Sequence, residues 1–101
     1  MLHTINQSPF ESNLLPSCLR LATAGDVLVL IENGVYAAQA HNPHAENLQQ
    51  TIFESQIKVY ALQSDLQARG IQDDITANIH PISYEQFVDL VVAHHPVQAW
   101  F

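Results

Sequence analysis

The stretch Asp26 to Ile31 is apolar beyond its first residue, rich in branched side chains, and closed by Glu32-Asn33-Gly34. A run with no polar alternation is how a strand covered on both faces reads, which places it at the centre of a parallel sheet. Leu2 to Ile5 and Ile57 to Leu62 have the composition of shorter strands. Ile79-His80-Pro81-Ile82 is another, set at an edge because proline has no N–H to give to a ladder. Val97-Gln98-Ala99-Trp100-Phe101 alternates and predicts a final short strand.

Between these runs the period becomes helical. Leu15, Cys18, Leu19 and Ala22 recur at i, i+3, i+4 and i+7, with Asn13 as N-cap, Pro16 in the first turn where a missing N–H costs nothing, and Gly25 as the stop. Asn33 is expected to cap a short turn or helix through Ala38, and Asn42-Pro43 to serve as N-cap and first residue of a helix with Leu48 and Ile52 on one face. Ser64 to Ala68 reads as a brief helix closed by Gly70. In the last helix Ser83 and Gln86 make a capping box, Tyr84, Phe87, Val88 and Val91 form the expected buried stripe, and Pro96 follows the end. Strands alternating with helices across short connections predict βαβ crossovers. The fold expected is a single small three-layer α/β domain over residues 1–101, with a mostly parallel sheet of four or five strands.

Composition narrows the function classes. Of 101 residues 48% are hydrophobic and 13% charged, and that charged share is about half the roughly 25% usual for soluble domains. Part of the surface is therefore expected to be covered by partners or solvated by Gln, Asn, Ser and His. Ten carboxylates face three cations, Arg20, Lys58 and Arg69, for a formal charge of −7. The cations lie in separate segments, so direct nucleic-acid binding, which needs clustered Lys and Arg, is excluded. No run approaches the roughly 20 apolar residues that span a bilayer. The start Met1-Leu2-His3-Thr4-Ile5 has neither the basic region nor the apolar stretch of a secretory signal, and a lone cysteine forms no intrachain disulfide. Both point to the cytoplasm.

Cys18 is the only candidate nucleophile among thiols. A cysteine that carries sulfur must reach its thiolate, which requires access and a nearby positive charge or helix N-terminus. Cys18 lies past the first turn, where the dipole fades, and Arg20 is roughly 200° further round the helix. Its place on the apolar stripe suits packing. The pairs His41/His44 and His94/His95 lack a carboxylate or thiol at ligand spacing, so no metal is expected. Asn33-Gly34 reads as a tight strand-to-helix turn rather than a phosphate loop. Glu85 and Asp89 fall on the outer side of the last helix and read as solvation. No G-x-G-x-x-G, Walker loop or G-x-S-x-G elbow occurs, and no cofactor is expected.

The segments Met1 to Pro9, Gly25 to Ala38, Lys58 to Leu62, Asp65 to Gly70, Tyr84 to Leu90 and Val97 to Phe101, in that order and spacing, resemble the DsrH/TusB family of sulfur-relay subunits. The resemblance covers nearly the whole chain, with no fixed pattern over His41 to Gln56. It implies a DsrEFH-like fold and a cytoplasmic heterohexamer in which this chain sits with DsrE/TusD-like and DsrF/TusC-like sister subunits. Such a complex receives persulfide sulfur and passes it to a small carrier protein, for 2-thiolation of the tRNA wobble uridine in the TusB branch or for sulfur oxidation in the DsrH branch. The principal relay cysteine of the family lies on the DsrE/TusD-like subunit, so an auxiliary, non-catalytic role is implied here. Cys18 stands in a context like the DsrH branch and is the one candidate sulfur-handling residue. The alternatives are a free-standing thiol-dependent sulfurtransferase using Cys18, and a self-associating α/β scaffold.

Overall fold

Strand and helix alternate from one end of the chain to the other. The computed structural model describes residues 1–101. Strand β1 (Leu2–Ile5) leads to α1 (Leu14–Leu21), β2 (Val27–Leu30), a 3₁₀ turn (Glu32–Ala38) and α2 (Ala45–Ser55). Then come β3 (Lys58–Leu62), α3 (Gln63–Ala68), β4 (Ile79–Ile82), α4 (Tyr84–Ala93) and β5 (Val97–Trp100). The five strands form one sheet in the order β4-β3-β2-β1-β5, every pairing parallel. The apolar run of β2 sits at the centre with all its residues buried, and Pro81 lies on the edge strand β4.

Because side chains alternate across a strand, the sheet sorts its residues into two unequal layers. Ile5, Leu28, Leu30, Val59, Ala61 and Ile79 face α1, α2, α3 and the 3₁₀ turn in a core of 16 buried residues. On the opposite face Leu2, Val27, Val29 and Ile82 make a cluster of only 4, covered by Phe87, Leu90 and Val91 of α4. One side of the sheet thus has a thick layer, and the other has a single helix.

Gly34 shows how tightly the thick layer closes. A Cβ at this position would stand 2.1 Å from the Ile5 carbonyl oxygen, so the turn after β2 approaches the end of β1 only because residue 34 has no side chain.

Several local signals act differently from expectation. Asn13 makes no side-chain cap; the Ser12 hydroxyl accepts from the Leu14 N–H instead, at 3.1 Å. Helix α1 ends at Leu21 in an extended Ala22, and Gly25, at φ 88°, makes the later turn into β2. The 3₁₀ turn begins at Glu32, with Asn33 inside it rather than capping it. Asn42 accepts from the His44 N–H at 2.9 Å and donates to the Gln39 carbonyl at 2.8 Å. That local turn delays α2 to Ala45, two residues past Pro43.

Helix α4 needs the largest correction. Its capping box forms, Ser83 Oγ accepting from the Gln86 N–H at 3.1 Å and Gln86 Oε1 from the Ser83 N–H at 2.8 Å. Tyr84 and Val88, however, are 67% and 42% exposed rather than buried. The helix leans on the sheet through Phe87, Leu90 and Val91. Apolar residues occupy about 200° of its circumference at 100° per residue, wide enough for two different stripes, and periodicity cannot choose between them.

Candidate functional site

Cys18 lies in the middle of α1 and points into the thick core, 1% exposed, beside Leu15 and Leu19. Burial, aided by the charge of Asp26, pushes its thiol up to about 12. The space beside it, bounded by His3, Ala22, Asp26, Leu28 and Ile57 among others, is a crevice too narrow to hold water. A thiol that stays protonated and meets no solvent cannot attack a persulfide donor, nor can a donor reach it without displacing α1. In this arrangement Cys18 behaves as a small apolar core residue.

Next to that gap stands a polar network that sequence reasoning missed. Parallel pairing of Leu2 with Val27 brings His3 beside Asp26, and their side chains meet at 2.9 Å between Nε2 and Oδ2. Asp26 also accepts from the Thr23 N–H at 3.0 Å and from the terminal ammonium of Met1 at 3.2 Å. Burial alone would raise the Asp26 carboxyl, but the bonds from His3, Thr23 and the ammonium outweigh it and hold it below its ordinary value. From the far edge of the sheet Trp100 Nε1–H donates to His3 Nδ1 at 3.2 Å. With Nδ1 accepting, the hydrogen of the ring sits on Nε2 and is donated to Asp26. The network ties β5, β1 and the entry to β2 together. Its signal lay in the sequence all along: a histidine in an apolar strand and an aspartate opening a buried one each require a partner.

The carboxyl ends of β1 and β2, where open α/β sheets bind ligands, open onto a cleft of about 400 Å³ lined by Ser8, Phe10, Glu11, Asn33, Tyr36 and Gln39. The lining offers hydrogen-bonding groups but no thiol and no cation. Arg69, the nearest guanidinium to this rim, donates through Nε to Asn33 Oδ1 at 2.9 Å and through Nη1 to the Asp65 carbonyl at 3.1 Å. Asp65 in turn accepts from the Glu32 N–H at 2.7 Å. Asn33 therefore serves to fasten the turn after β2 to α3. Glu85 and Asp89 stand exposed on α4, as expected. Nowhere do three His, Cys, Asp or Glu side chains converge on a point where a metal ion could sit, and His41, His44, His94 and His95 stay apart from any such group. No helix is long and apolar enough to cross a membrane.

The arrangement therefore contains a fold-locking network and a sealed thiol. Comparison with known proteins supplies what the geometry leaves open. A family model described as "DsrH like protein" matches residues 7–97. The chain belongs to the DsrH/TusB family. Protein TusB from Escherichia coli O139:H28 is 43% identical over 100 residues, spanning 99% of this chain and 100% of the relative. The same figures hold for Protein TusB of Shigella boydii serotype 18. Among solved structures, the ychN protein from E. coli superposes with a TM-score of 0.81 at 15% identity, over 98% of this chain and 97% of that one. Protein Tm0979 from Thermotoga maritima superposes with a TM-score of 0.66 at 28% identity, over 93% and 94%. At 15% identity the first likeness bears on the fold alone. It agrees with the small parallel α/β domain described above.

Proposed function

We propose that this chain is an auxiliary, non-catalytic subunit of a cytoplasmic sulfur-relay complex, assembling with DsrE/TusD-like and DsrF/TusC-like sisters in a heterohexamer that hands persulfide sulfur to a small carrier protein. The observation that carries this reading is the sealed state of Cys18. The chain has one cysteine, and it is buried with its thiol pushed up to about 12, so the sulfur-bearing thiol belongs on a sister. What this subunit contributes is shape: a rigid sheet, locked by His3, Asp26 and Trp100, that holds its neighbours in register.

Full-length similarity to proteins named TusB outweighs the hint toward the DsrH branch that Cys18 offers in the sequence, and it favours 2-thiolation of the tRNA wobble uridine as the end of the pathway. The charge of −7 keeps the subunit itself away from tRNA. A free-standing sulfurtransferase would need Cys18 accessible and ionised, which is the opposite of its surroundings. The test is co-expression with the two sister subunits: co-elution of all three in one oligomer supports the reading. A chain that elutes alone and accepts labelled persulfide sulfur on Cys18 overturns it.

A further inference from the structure

Helix α4 carries apolar side chains on two faces, and the fold uses only one. Phe87, Leu90 and Val91 rest on the sheet. Tyr84, Val88 and Val92 follow at i, i+4 and i+8 and form an outer ridge about 12 Å long at 1.5 Å per residue, Val92 standing 69% exposed. Gln86, Asp89, Leu90 and Ala93 border the hollow above Tyr60 and Ile82, which places them toward β3 and β4. Tyr84 and Val88, on the other side of the helix, therefore turn toward β1 and β5. There only β5 is bare: Val97 pairs in register with Leu2, which α4 buries, so it points to the same face, yet Val97 and Ala99 are exposed.

The widths explain the gap. Five strands at about 4.8 Å span roughly 19 Å, while one helix covers about 10 Å. The position beside α4, above the edge strand β5, is where a second helix would lie in a sheet covered on both faces, and this chain has none left to place there.

We infer that this notch between the outer ridge of α4 and the exposed face of β5 is the docking surface for a different subunit, one that brings an apolar helix or ridge bordered by Lys or Arg. The inference rests on the subunit reading above and names the surface that serves it. Charge decides against a second copy of this chain. Glu85 borders the ridge next to Val92, Asp89 follows Glu85 on the outer surface toward the hollow, and α4 has no basic residue. Of the three cations in the chain, Arg20 belongs to α1 in the opposite layer and Arg69 is engaged by Asp65 and Asn33. Lys58 pairs in register with Val27 and so shares the face of α4, but it heads β3 near Asn78 and His80, across the helix from the ridge. A like copy would set carboxylates against the same ridge, in a chain already at −7. A basic partner would pair them while covering the valines, the arrangement of apolar centre and charged rim found at stable interfaces.

The experiment co-expresses the two sister subunits with wild-type chain, with Val88→Glu/Val92→Glu, and with Phe53→Glu, a control at an exposed aromatic on α2 in the other layer. Elution and sedimentation are read alongside circular dichroism of each chain. The expected result is loss of co-elution for the α4 variant, with wild type and the Phe53 variant assembling alike. If the double variant loses its native spectrum, Glu85→Lys/Asp89→Lys replaces it, again with loss of assembly expected from charge reversal. Assembly of a folded α4 variant at wild-type level overturns the surface and leaves the subunit reading intact. Failure of the wild type to assemble with either sister overturns both. A homodimer of the wild-type chain that the α4 substitutions abolish overturns the commitment to a different subunit.

Discussion

Replacing Asp26 with alanine is expected to remove a large part of the margin by which this fold survives. The carboxylate serves three donors: the His3 ring at 2.9 Å, the Thr23 N–H at 3.0 Å and the Met1 ammonium at 3.2 Å. The ammonium is half exposed, and water can replace its partner, so its share is small. The other two are hydrogen bonds to a buried charge, each worth about 1.5–3 kcal/mol. Truncation also leaves the His3 Nε2–H, in a side chain almost wholly buried, with no acceptor. Together these give a loss of about 3–5 kcal/mol, the range for breaking a buried ionic contact, against a total of roughly 5–15 kcal/mol for a typical domain. At about 4–8 °C per kcal/mol for a domain near this size, the thermal midpoint falls by roughly 12 °C or more. Asp26→Asn keeps an acceptor and loses the charge, so it is expected to cost less than the alanine change. The pH dependence has a definite sign. Because the folded state lowers the Asp26 carboxyl below 3.8, its stabilisation is complete above the ordinary carboxylate range and is lost as pH falls through the lowered value. Urea titrations of wild type and Asp26→Ala from neutral pH down to acid measure both effects. An alanine variant within 1 kcal/mol of wild type at neutral pH, or one whose stability falls as steeply in acid, would refute this account of the network.

Other substitutions probe separate parts of the structure. Gly34→Ala, whose Cβ would press on the Ile5 carbonyl at 2.1 Å, is expected to cost more than about 2 kcal/mol in chemical denaturation through backbone displacement; a neutral result would show that the turn after β2 yields freely. Trp100→Phe removes the donor to His3 Nδ1 and should cost about 1–2 kcal/mol, with faster amide exchange across the β1/β5 pairing as its local sign. Ser83→Ala breaks the capping box of α4 and should cost about 1 kcal/mol without changing the far-UV spectrum. In native protein Cys18 should react with a disulfide reagent only as fast as the fold opens, and at once in denaturant; prompt native labelling at neutral pH would contradict its sealed position.

The parts of this molecule that were legible in the sequence are those where one local signal dominates. The unbroken apolar run of β2 can only be satisfied between two layers, and Pro81 can only sit at an edge; both stand where they were expected. Ser83 and Gln86 carry their bonding pattern in their spacing. Helix α4 was less legible, because which half of a broad apolar arc meets the sheet is decided by the distant residues Leu2, Val27, Val29 and Ile82. Asn13 stands at the N-cap position without a side-chain bond, the neighbouring Ser12 hydroxyl taking the Leu14 N–H, and Asn42 closes a local turn with Gln39 and His44 instead of capping α2, choices between neighbouring polar groups that spacing does not settle. The His3, Asp26 and Trp100 network joins residues separated by up to 97 positions, and only the parallel register of β1 with β2 and β5 brings them together. Cys18 was legible in its chemistry, since spacing set it on the apolar stripe. Its degree of burial required α1, β1 and β2 to be in place.

The central claim is that this chain shapes a sulfur-relay complex without carrying sulfur on its own thiol. Its most direct test is the rate of labelled sulfur delivery to the carrier protein by a reconstituted complex containing Cys18→Ser, measured beside the thermal midpoint of that complex. A buried hydroxyl without a partner should lower the midpoint, at a cost of about 1–3 kcal/mol, while delivery by the assembled complex stays at the wild-type rate. An unchanged midpoint with delivery abolished would contradict the claim and make Cys18 part of the relay.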